Sequence, residues 1–151
     1  MEGLAHGNTT EPLCKMLTKF MSVNDFRHST AIWAGSSSNC AGMKEQVAAE
    51  LTKRLADPGK VAKDTGWDYV RAARNLCRAE SPETKKKGLE LSKKLADAKV
   101  PDAHTRMLGV EHVIECDPKG GPTFARALVN DKVIGKDVKS MLDEAKQKAK
   151  K

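Results

Sequence analysis

Trp67, Arg71, Arg74 and Arg78 lie within "DTGWDYVRAARNLCR", residues 64–78, and their spacing is the first chemistry the chain offers. At about 100° per residue, Tyr69, Val70, Ala73, Leu76 and Cys77 gather on one arc of a helical wheel. Trp67 falls roughly 120° from the centre of that arc, with the three arginines clustered around it. An indole outside the apolar arc and flanked by guanidinium groups suits docking. It buries a large area at little entropic cost, and Trp and Arg are prominent among binding hot spots. The competing arrangement folds Trp67 back over a neighbouring helix end, where it only closes the core.

A second basic group is Lys85, Lys86, Lys87, Lys93 and Lys94. As a helix face it meets phosphates with an affinity that falls as salt rises, or it is simply solvated. The tail "KQKAKK" extends the basic character to the last residue.

Residues suited to bond-making are thinly spread. His104, Glu111, His112, Glu115 and Cys116 form the best metal-like group, yet no H-E-x-x-H or other zinc spacing appears, and no metal is assigned. "DPG" and "DPKGG" read as turns, and neither is a phosphate-binding loop. The carboxylates are too scattered to nominate an acid/base pair. Cys14, Cys40, Cys77 and Cys116 include no C-x-x-C pair, so they are expected to be free thiols in a reducing compartment, with Cys77 an inert buried one. No nucleophile and no cofactor is nominated, and the expectation is a protein that is not an enzyme.

The elements that must position these groups are set off by Pro and Gly. "TEPLCKMLTKFMS", residues 10–22, opens with a Thr cap signal and a Pro, and places Leu13, Leu17 and Phe20 on one side. Residues 24–34 form a short second helix or irregular chain. "GSSSNCAG", residues 35–42, reads as a flexible linker. It divides an accessory segment, 1–42, from a helical domain with a basic tail, 43–151. In that domain Val47, Leu51 and Leu55 mark one helix, and the tryptophan stretch, capped by Asp64 or Thr65, marks the next. Ser81 and Pro82 open a third, which buries Leu91 and Leu95. Asp102 caps a fourth, with Met107, Val110, Val113 and Ile114 inward. Pro122 begins a short helix with Phe124, Leu128 and Val129. The last, from about Lys136, buries Val138, Met141, Leu142 and Ala145.

The 151 residues fit a single domain, and an aromatic content of 4% leaves Ala, Leu and Val to build the core, which favours close helix packing over a β-sandwich. The net charge of +7 falls entirely in residues 41–151 and suits an acidic partner: a phosphoinositide surface, an acidic peptide or RNA. "MEGLAHGNTTEP" has neither the positive nor the apolar region of a signal peptide, and no run is apolar enough to span a membrane.

From Trp67 onward, "WDYVRAARNLCRAESPETKKKGLELSKKLADAK" resembles the start of VHS domains, helical adaptors of the ENTH/VHS superfamily. "HTRMLGVEHVIECDPKGGPTF" is similar to the family's next segment, with Leu108, Glu111, Gly120 or Gly121, and Phe124 at the matching positions. The likeness covers about residues 44–130. It departs at Val100-Pro101, where the family has Asn-Pro, and in residues 1–40, which have no counterpart.

The resemblance implies an all-α, compact right-handed helical stack of five to seven helices, solenoid-like, with no catalysis. It implies an adaptor in membrane trafficking, cytoplasmic or peripheral at endosomal membranes, that binds ubiquitin, sorting peptides or phosphoinositide headgroups. Trp67 matches the family's ubiquitin-binding position. Arg71 stands where an apolar residue is expected four positions on, with Val70 the nearest apolar substitute. A nucleic-acid-associated protein that binds RNA or phosphopeptides through its basic helices is the alternative.

Overall fold

The computed structural model describes residues 10–149. Among these residues eight α-helices follow one another: α1 (Glu11–Met21), α2 (Arg27–Ser37), α3 (Met43–Arg54), α4 (Lys63–Cys77), α5 (Pro82–Leu95), α6 (Ala103–Cys116), α7 (Gly121–Arg126) and α8 (Gly135–Ala149). A 3-10 turn at Pro58–Lys60 separates α3 from α4, and no strand occurs among the described residues. The expected all-α class is therefore observed, with eight helices where five to seven were anticipated.

Local chemistry sets several of these boundaries. The Ser81 hydroxyl accepts the Thr84 N–H at 3.4 Å, and the Asp102 carboxylate accepts the Thr105 N–H at 3.0 Å, so these two expected caps form, whereas Thr10 stands at the cap position of α1 without a side-chain bond. At α4 the expectation fails. The helix begins at Lys63, ahead of Asp64 and Thr65, with Ala62 in the cap position and no side chain bonded there.

The linker expectation is also corrected. Residues 35–37 complete α2, and Ser36 and Ser38 are buried. Ser-rich composition misleads here because the hydroxyls bond locally, Ser36 and Ser38 each donating to the carbonyl three residues back. Gly35 lets α2 press against Met21, Val47 and Met43.

The even-numbered helices neighbour one another in the order α2, α4, α6, α8, while α1, α3 and α5 form a second row beside them. The rows approach closely through glycines. A Cβ on Gly88 would strike the backbone of Ala73 and Cys77 in α4. One on Gly109 would sit 2.9 Å from the Ser92 carbonyl oxygen in α5. The larger core joins Leu17, Met21 and Ile32 to Val47, Leu51, Leu55, Val70, Leu76, Leu91 and Leu95, so α1 and α2 share it with the helices that follow. A smaller core of Ala96, Val110, Ala125, Ile134 and Val138 lies under α6, α7 and α8. Ala145, expected inside, is exposed.

Candidate functional site

The tryptophan surface is built by the way α2 locks onto α4. His28, Ile32 and Ser36 recur at four-residue spacing and face α4. The His28 Nε2 lies 2.6 Å from the Tyr69 hydroxyl and its Nδ1 2.7 Å from the Asp25 carbonyl oxygen. One proton assignment satisfies both contacts: Nδ1–H donates to the carbonyl, and the Tyr69 hydroxyl donates to Nε2. Burial pushes the Tyr69 phenol up to about 12. About two turns on, the Asn75 amide donates to Ser36 Oγ at 2.9 Å.

Trp33, one residue beyond Ile32, is consequently turned to the rim of α2, where the Arg71 guanidinium stands 5.3 Å from its ring centroid. At the other end of the stripe, Gly66 lets the first turn of α4 meet Thr105 of α6, since a Cβ there would lie 2.6 Å from Thr105 Oγ1. Trp67 is thereby brought edge-on to His104, with centroids 5.6 Å apart. Trp67 is 41% exposed and Trp33 38%, so neither indole is sealed inside, although Trp67 also lies over the start of α6 at His104.

The three arginines divide. Arg74 meets the Glu115 carboxylate at 3.2 Å and Arg78 bonds the same group. Burial pushes the Glu115 carboxyl up, but the hydrogen bonds from Arg78 and Arg74 outweigh it and hold the group below its ordinary value. Arg71 has no carboxylate partner among the ion pairs of the described residues, and its contact is the face of Trp33.

Val70 must be corrected as a binding residue. It is 1% exposed and belongs to the larger core, because position 70 falls near the middle of the apolar arc. The lysines of α5 lie away from the indoles. That helix packs through Gly88 on Ala73 and Cys77, about 100° around α4 from Trp67. Lys85, Lys86, Lys93 and Lys94 are exposed and fan around α5, while Lys87 is half-buried and pairs with Glu90 at 3.7 Å. Lys93 also lies over the Phe124 ring.

The metal-like residues do not converge. His104 lies against Trp67, whereas His112 is buried and Glu115 is taken by the arginines. Burial, helped by the charge of Arg74, pushes the His112 imidazole down to about 4, and its Nδ1 has no hydrogen-bond partner.

The free-thiol expectation is overturned. Cys14 is bonded to Cys40, and Cys77 to Cys116. Folding brings together cysteines 26 and 39 positions apart, a proximity their spacing does not reveal. Pairing of all four removes the ground for assigning a reducing compartment, and Cys77 is a cross-link between α4 and the end of α6.

Sequence reasoning missed Trp33, His104 and Glu115 as parts of this surface. The available signal was Trp33 as the only other tryptophan, one step off the four-residue row of His28, Ile32 and Ser36. No helix among the described residues is long and apolar enough to cross a membrane. No family model, no curated protein and no solved structure matches the chain.

Proposed function

We propose that this chain is a non-catalytic recognition module of the VHS type, acting in membrane trafficking, whose Trp33–Arg71–Trp67 surface takes a protein or peptide ligand. Ubiquitin and sorting peptides are the ligands the resemblance brings forward. The observation that carries the reading is the pair of exposed indoles on adjacent helices, with Arg71, one helical turn beyond Trp67, lying over Trp33. Two rigid aromatic anchors beside an arginine free of carboxylate partners make the combination expected of a hot spot. With Val70 buried, Trp33 supplies the apolar neighbour that Trp67 needs. The charge of Arg71 favours a ligand that brings a carboxylate, and the lysines of α5 form a second, separate region suited to anionic headgroups.

An NMR titration with ubiquitin, an acidic sorting peptide, a phosphoinositide headgroup and single-stranded RNA tests this. The expected result is saturable shifts at both indole N–H groups with ubiquitin or the peptide. Trp67→Ala should weaken that binding about tenfold or more while helix content holds. Binding to RNA alone, with a steep salt dependence, would move the surface to the nucleic-acid class.

A further inference from the structure

A groove of about 790 Å³ lies between the end of α6, α7 and α8, and neither tryptophan lines it. Its floor is Ile114, Pro122, Val129 and Leu142, all left half-buried by the smaller core. That volume is ample for several apolar side chains. Arg126, Lys139 and Lys146 stand at its edge, against one carboxylate, Asp143. None of the three cations makes an ion pair among the described residues.

The charges of α8 are only partly sorted by side. Lys139 and Lys146 border this groove with Asp143, while Asp137 and Glu144 face the opposite flank with Lys148, beside Glu111 of α6. With Arg126 of α7, three cations against one carboxylate give the groove a positive potential. Its walls are helices and tight turns, whose backbone groups are bonded within themselves, and no strand edge is present among the described residues for an extended peptide to pair with. The partner must therefore satisfy its own backbone, as a helix does. Among the described residues α8 packs chiefly on α7 and α6.

We infer that this groove docks an acidic amphipathic helix from a partner protein, which lays an apolar stripe on Ile114, Val129 and Leu142 and sets carboxylates against Arg126, Lys139 and Lys146. The site is independent of the tryptophan surface, so one chain holds two ligands at once.

The probe is a designed helical peptide of roughly four turns, with leucines at i, i+3, i+4 and i+7 and glutamates on both flanks. It is followed by fluorescence anisotropy against the full chain. Saturable binding is expected, weakened about tenfold by Lys139→Glu with Lys146→Glu, and restored when the peptide flanks are changed to lysine. These two positions are exposed, so the variant keeps its fold where Leu142→Asp, the more direct change, puts stability at risk. Trp67→Ala should leave this binding unchanged, which separates failure here from failure of the first surface. The proposal is overturned if the charge-reversed variant binds equally well, if a proline-interrupted peptide binds as tightly, or if Trp67→Ala abolishes binding. It is also overturned if light scattering shows a second copy of the chain closing the groove at working concentration, or if the peptide does not bind.

Discussion

The two ends of the molecule solve the same packing problem to different degrees. Around α1–α5 the apolar residues form one continuous core, with a buried polar link from His28 to Tyr69 and a part-buried one from Asn75 to Ser36. Around α6–α8 the core is small, and Ile114, Val129, Met141 and Leu142 remain half-buried. What holds that end in register is a charge pair. Arg106, 2% exposed, donates to the Asp131 carboxylate at 3.1 and 2.6 Å and to the Ala96 carbonyl at 3.1 Å. Asp131 in turn accepts the N–H groups of Val133 and Ile134, which fixes the turn into α8. A helix layer covered by another layer needs shape, whereas a layer left open needs a specific polar clasp, and its open side is where binding surface remains.

The sharpest way to break this contrast is Arg106→Ala. Removing one partner of a buried pair leaves the other uncompensated, at a cost of about 3–5 kcal/mol. Urea denaturation should show the loss, and hydrogen exchange should place it first in α7 and α8. Asp131 is held below the ordinary carboxylate range by the Arg106 hydrogen bonds, helped by the N–H groups of Ile134 and Val133. Its contribution is therefore full above the usual carboxylate pKa and is lost only as pH falls well below it. If the Arg106 variant melts as one unit with the rest, the two ends are not distinct.

Next in size is the Cys77–Cys116 bridge, which fastens α4 to the end of α6. Cys77→Ala with Cys116→Ala should cost about 3–4 kcal/mol from loop closure alone, read as a lowered Tm. Peptide mapping without reductant checks the pairing itself.

His112 tests the seam between α4 and α6 by pH. Its folded value of about 4 lies below the ordinary 6.5. Over that interval the unfolded chain takes up a proton that the folded chain refuses, so stability is full above pH 6.5 and falls toward pH 4. The loss is on the order of 3 kcal/mol, and His112→Phe should flatten the Tm–pH curve across that range. An unchanged slope would show that the imidazole charges without cost.

The smallest effects sharpen the comparison most directly. Gly88→Ala and Gly121→Ala both place a methyl against a neighbouring helix backbone, α4 in the first case and α6 in the second. Overpacking typically costs about 1–3 kcal/mol. The high end is expected at Gly88, inside the continuous core, and the low end at Gly121, where short α7 has room to shift. Equal losses by denaturation would remove the distinction between a closed end and an open one.

Much of the frame was legible from residue order alone. The caps at Ser81 and Asp102 were visible because a capping side chain reaches only two or three residues along its own chain. The apolar arc of α4 was visible because helical periodicity is local too. The start of α4 was misread because an Asp and a Thr suited to capping stand inside the first turn, while Ala62 occupies the boundary. Val70 was misplaced because an apolar neighbour for Trp67 was sought along the same helix, where position 70 falls in the buried arc.

By itself, then, the sequence determined that the chain is helical, roughly where each helix runs, and that Trp67 stands off the buried face, since all three follow from interactions within a few residues. Only the tertiary structure decided which cysteines pair, that Arg71 lies over Trp33 and Trp67 against His104, that Glu115 pairs with two of the three arginines, and that α8 leaves a basic groove open. Each of these joins residues far apart in the chain, and no local period or spacing encodes which helix will lie against which.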